Sequence, residues 1–146
     1  MLQQNPTEEN TGLSRTQRLA PQISVNGTPG ARASHCLLLW LLSLEFHSSM
    51  TALLENSSSA QNPLAKNVRA TVQKIPALLM SAGRQESAED VCIHLKKAHF
   101  ALLETVKLLE FSVEYGCVLP TDVDYRDFIK QSSALNGQLV SLIEAC

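Results

Sequence analysis

The chain has 146 residues, which is within the size range of a single domain and long enough to bury a hydrophobic core. It is 45% hydrophobic but only 5% aromatic, so aliphatic side chains must fill that core, which favours an all-α helix bundle over a β-sandwich or barrel. The formal net charge is −2 and no run of five basic residues occurs, which argues against nucleic acid as a partner.

The four cysteines, Cys36, Cys92, Cys117 and Cys146, are far apart in the sequence and include no CxxC pair. Metal sites usually need closer ligand spacing, and proteins that depend on disulfides to fold are usually smaller and richer in cysteine. We therefore predict reduced thiols, a cytoplasmic setting and no bound metal. The even number of cysteines leaves two disulfides open.

Residues 1–33 are predicted to be a disordered tail, because they are rich in Gln, Asn, Thr, Pro and Gly and their few apolar residues follow no period. The composition changes abruptly at His35. This change predicts that the folded domain occupies residues 34–146.

The first predicted helix, residues 36–55, begins with the most hydrophobic segment of the chain, CLLLWLLSLEF over residues 36–46. That apolar run is shorter than the roughly 20 residues that a membrane span requires, and Glu45 interrupts it, so we predict a buried helix and no membrane span. The alternative is a signal-peptide core over residues 36–46, unusually late in the chain, which would make the protein secreted.

The second helix is predicted over residues 64–82. Its apolar stripe recurs with helical period and consists of Leu64, Val68, Val72, Ile75 and Leu79. Pro76 lies inside this pattern and lacks a backbone N–H, so a kink or a break is expected there. The short polar link that follows favours antiparallel packing of the second helix on the third.

The third helix, predicted over residues 88–115, has the clearest boundaries. Ser87 is a good N-cap with Asp90 at the capping-box position, and Gly116 can take the left-handed conformation that ends a helix. Apolar residues recur along one face: Val91, Leu95, Ala98, Leu102, Val106, Leu109 and Val113. Further apolar residues beside this stripe widen the arc, so we expect this helix to be the central packing surface for the other three.

The fourth helix is predicted over residues 122–146, with Thr121 as its N-cap and acidic residues near its positive end. Its apolar stripe reaches Cys146 with no Gly, Pro or polar cap after it. We therefore expect that the natural domain continues and that this chain is a truncated form.

Three residues are candidate phosphorylation sites. Tyr125 lies among acidic residues at a helix N-terminus, Tyr115 follows Glu114 at the end of the third helix, and Ser14 precedes Arg15 in the tail. A phosphate on Tyr125 would gain from the helix dipole but would be repelled by the neighbouring aspartates. An unmodified side chain is the simpler alternative at each position.

Motifs for catalysis are lacking in the sequence. Cys92 and His99 are two helical turns apart, about 10 Å, which is too far for a thiolate–imidazole pair. The segment that starts at Asp122 begins like a calcium loop, but Arg126 occupies a ligand position and Asp127 replaces the turn glycine. We therefore predict no catalytic, cofactor-binding or metal-ligating residues and no enzyme activity.

The four predicted helices form an up-down four-helix bundle. In helix number and amphipathicity alone, the pattern is similar to the four-helix modules of cytoskeletal and adhesion adaptors. The function we expect is a non-enzymatic interaction or scaffold module that binds a partner helix or peptide in a groove between two of its helices. The alternatives are a secreted bundle of the cytokine type and a subunit of an obligate homo-oligomer.

Overall fold

The computed structural model describes residues 29–55, 63–116 and 122–146. These residues form four helices, α1 (Pro29–Glu55), α2 (Pro63–Gly83), α3 (Ala88–Glu114) and α4 (Asp122–Glu144). Helix α1 packs against α2 and α4, and α3 packs against α2 and α4 as well. Each helix therefore lies beside its neighbours in the sequence and the first lies beside the last, as in an up-down bundle. The predicted all-α four-helix bundle is confirmed.

Helix α1 begins at Pro29, seven residues before the predicted start at Cys36. Proline is favoured in the first turn of a helix because its missing N–H needs no partner there and its φ is already helical. The other helices begin and end within two residues of the predicted positions. The tail prediction for residues 1–28 and the predicted N-cap at Thr121 lie outside the described residues.

The core is built mainly from leucine. Helices α1 and α4 meet through Phe46 and Phe128, whose ring centroids are 6.0 Å apart. The apolar stripe predicted for α3 lies inside the bundle, although Val106 and Val113 are only partly buried. The largest fully buried side chains are Phe46, Phe128, Leu39, Met50, Leu53, Leu54, Ile75, Leu79, Leu95, Leu102, Leu109 and Leu135.

The predicted ends of α3 are confirmed. The Ser87 side chain accepts a hydrogen bond from the backbone N–H of Asp90 at 3.1 Å, which satisfies one of the unpaired donors of the first turn. At the other end Gly116 has a φ of 70°, a left-handed conformation in which a residue with a side chain is strained. A kink or a break was predicted at Pro76. Helix α2 is continuous through this residue, so the break does not occur.

Helix α1 includes one segment, Ser34–Glu55, that is long and apolar enough to cross a membrane by length and composition. Core helices of soluble proteins and signal sequences share this property. In the bundle its inner side is covered, since Leu39, Phe46 and Met50 are buried. The absence of a membrane span remains a prediction.

Candidate protein-binding site

The N-terminal half of α1 and the C-terminal end of α2 enclose a groove. Its lining is almost wholly apolar and its volume is ≈ 190 Å³. Leu79 and Cys36 are buried in its wall, while Leu37 and Arg84 stand exposed. The complete lining is Cys36, Leu37, Trp40, Leu79, Met80, Gly83 and Arg84.

Gly83 allows the two helices to approach each other at this point. A Cβ atom on Gly83 would lie 3.3 Å from the Cβ of Cys36, which is tighter than nine in ten contacts of this kind. In the sequence Gly83 follows the predicted second helix directly, where glycine is common as a helix C-cap. Its role in helix packing depends on which residue of α1 lies opposite, and no local pattern indicates that.

His35 precedes the groove residue Cys36 and is buried, with 7% of its surface exposed. Its Nδ1 has no hydrogen-bond partner among the described residues. Burial lowers the pKa of His35 below its usual 6.5, because the charged imidazolium is poorly solvated there. The folded state therefore favours the neutral ring.

We expect His35→Leu to raise the free energy of unfolding by about 1 kcal/mol, because leucine removes a buried polar atom without a partner. It should also flatten the pH dependence. A lowered pKa in the folded state means that the unfolded chain binds more protons, so wild-type stability falls as the pH drops below about 6.5. Urea unfolding of both proteins between neutral and mildly acidic pH measures this. Equal slopes in wild type and variant would contradict the assignment.

Cys92 and Cys146 form a disulfide that joins α3 to the residue two positions after the end of α4, with Cα atoms 6.3 Å apart. The prediction of reduced thiols is therefore wrong for this pair. Sequence spacing alone could not identify it, because the two residues are brought together only when α4 packs against α3. Cys36 is a buried thiol, and Cys117 lies outside the described residues.

Cys92 and His99 have different partners in the structure, since Cys92 is bonded to Cys146. His99 instead forms a 2.8 Å hydrogen bond from its Nε2 to Oδ1 of Asn136 on α4, so its role is to link two helices. Among the described residues, no group of three histidine, cysteine or acidic side chains is placed to hold a metal ion.

The candidate phosphorylation sites lie apart from the groove residues in the sequence. Tyr115 is exposed at the C-cap of α3, and its ring centroid lies 4.9 Å from that of Phe111. Tyr125 is partly buried in the first turns of α4 against Phe128, at 5.7 Å. Ser14 lies outside the described residues. Modification of all three remains a prediction.

No protein-family model, curated protein or solved structure matches this chain. The case for a function therefore rests on the geometry of the bundle.

Proposed function

We propose that this chain is a non-enzymatic, adaptor-type protein-binding module, and that the groove between α1 and α2 receives an apolar side chain of a partner's amphipathic helix. The observation that carries the proposal is the volume and lining of the groove. A cavity of about 150 Å³ is large enough for benzene, so ≈ 190 Å³ accommodates a leucine or phenylalanine side chain.

The chemistry of the lining specifies the kind of partner. Trp40 and Met80 offer apolar surface from either wall, and both residue types are enriched at protein interfaces. Arg84 also lines the groove and places a positive charge there. A partner helix with an apolar anchor and an acidic residue about one turn away fits this arrangement, the apolar anchor filling the groove and the acid pairing with Arg84.

The test uses the full chain, ¹⁵N-labelled, titrated with a synthetic amphipathic peptide that carries phenylalanine as anchor and glutamate one turn away. We expect amide shifts confined to the segments that line the groove, Leu79–Arg84 at the end of α2 and Cys36–Trp40 on α1. Leu37→Asp, at a groove residue that is 50% exposed, should weaken binding by at least about tenfold, since it places a charge beside the anchor.

Leu44→Asp is the matched control, because Leu44 lies on the same helix, is 37% exposed and does not line the groove. It should bind the peptide like the wild type. The proposal is contradicted by a peptide that fails to bind, or by equal losses in both variants.

A secreted helical bundle is the second candidate. The Cys92–Cys146 disulfide favours it, because disulfides persist in oxidising compartments. Cleavage after residues 36–46 is harder to reconcile with the complete burial of Phe46, since its loss would open the core. N-terminal sequencing of the protein from cells, with thiol labelling, distinguishes the two. A start near residue 50 supports the secreted form, and an intact N-terminus with reactive Cys92 contradicts it.

A further inference from the structure

The side of α3 that faces away from the core carries a regular seam. Its members recur at alternating steps of three and four residues, the spacing of the a and d positions in a coiled coil. All six members are exposed, and together they form what we call the outer seam: Lys97, Phe100, Glu104, Lys107, Phe111 and Glu114.

Two aromatic side chains interrupt the charges of the outer seam. Phe100 is 70% exposed and Phe111 is 48% exposed, and the Phe111 ring is extended by the ring of Tyr115, 4.9 Å away. Phe100 therefore has most of its surface in water, where an apolar ring gains nothing from burial. Exposed aromatic rings on one helix face are typical of a surface at which another chain binds.

The order of charges along the outer seam identifies that chain. In an antiparallel pair of coiled helices, a positions of one helix face d positions of the other. With two copies of α3 the facing pairs are Lys97 with Glu114, Phe100 with Phe111, and Glu104 with Lys107, each occurring twice by symmetry. Every charge then meets an opposite charge and every ring meets a ring.

In a parallel, in-register pair each charged residue would face its own copy, so like charges would repel each other. The outer seam is thus complementary to itself in one orientation only. We propose that a second copy of this chain docks on the outer seam, forming a two-fold symmetric dimer through antiparallel α3 helices. Such an interface is closed, so it yields dimers without open chains.

The outer seam and the groove between α1 and α2 share no residue, since every member of the outer seam lies on α3. The paired segment from Lys97 to Glu114 is about 26 Å long at 1.5 Å per residue. Charged residues at a and d positions fix orientation at a cost in stability. The dimer should therefore be weak and should dissociate further as salt is added.

Charge reversal in the full chain tests the proposal by sedimentation equilibrium. Glu104→Lys alone and Lys107→Glu alone each create two like-charged layers, so each should weaken dimerisation by at least about tenfold. An equimolar mixture of the two variants should form a heterodimer, because both layers then pair lysine with glutamate. The double variant Glu104→Lys/Lys107→Glu should dimerise like the wild type.

Glu144→Lys is the matched control, an exposed glutamate on α4 with the same change in charge, and it should leave dimerisation unchanged. Circular dichroism confirms that each variant is folded, as expected for exposed positions. A wild-type chain that stays monomeric at high concentration overturns the proposal. So does a wild-type dimer that Glu104→Lys leaves intact, since pairing in parallel or through another face would give this result. A double variant that stays monomeric while the wild type dimerises overturns it as well, because the pairing of residue 104 with residue 107 would then not explain the dimer.

Discussion

Replacement of Leu102 by aspartate is expected to unfold the protein. Leu102 lies in the middle of α3 and only 1% of its surface is exposed, within the cluster of buried residues that joins all four helices. Loss of the leucine side chain costs about 2–5 kcal/mol, and burial of an unpaired carboxylate adds several more. Together these match the whole stability of a typical domain, about 5–15 kcal/mol.

Far-UV circular dichroism and thermal melting of the full chain check this expectation. The matched control is Leu103→Asp, because Leu103 is the next residue on the same helix and is 50% exposed. It should keep the helical spectrum and melt close to the wild type. A folded Leu102→Asp protein would mean that the other face of α3 lies inside the bundle.

The inner face of α3 could be predicted from the sequence because helical periodicity is local information. Residues three or four apart share a face, and the stripe with this period lies inside the bundle. The caps follow for the same reason, since Ser87 needs only the N–H of Asp90 and Gly116 needs only its own backbone. Contacts between helices cannot be predicted in this way, because they depend on which faces of the two helices meet. The expectation that the wider apolar arc packs against all three other helices was wrong, because Phe100, Leu103 and Phe111 are exposed and α3 packs mainly on α2 and α4.

Helix α1 could be predicted only in part. One set of its apolar residues recurs with helical period and is buried in the bundle: Leu39, Leu42, Phe46, Met50 and Leu53. Further apolar residues spread round the helix, so periodicity does not show what its outer side does. In the bundle Leu39 and Leu42 are buried while Leu37 and Leu41 are about half exposed. The groove lies along that outer side, and it could be found only after α2 had been placed against α1.

The polar contacts between helices also could not be predicted from the sequence. The spacing of Cys92 and His99 gave no hint that their partners lie on or beside α4. Asn136 is 37 residues from His99, and Cys146 is 54 residues from Cys92. Contacts across such separations require that the two helices pack in one register, which no single-helix pattern fixes.

Removal of the Cys92–Cys146 disulfide is expected to lower the free energy of unfolding by about 4 kcal/mol. The two cysteines are 54 residues apart, and a cross-link that closes a loop of this length reduces the entropy of the unfolded chain by an equivalent amount. The folded state also loses the covalent bond that holds the end of the chain, after α4, against α3. Guanidinium unfolding of Cys92→Ser, without reductant, measures the loss.

A double-mutant cycle makes this prediction specific. Cys92→Ser and Cys146→Ser break the same bond, so Cys92→Ser/Cys146→Ser should lose no more stability than either single variant. Reductant should lower the stability of the wild type to that level and should leave the double variant unchanged. Additive losses, or a wild type that reductant does not affect, would mean that the two cysteines are unbonded in solution. The closing turn of α4 would then be held to α3 by packing of Leu142 and its neighbours alone.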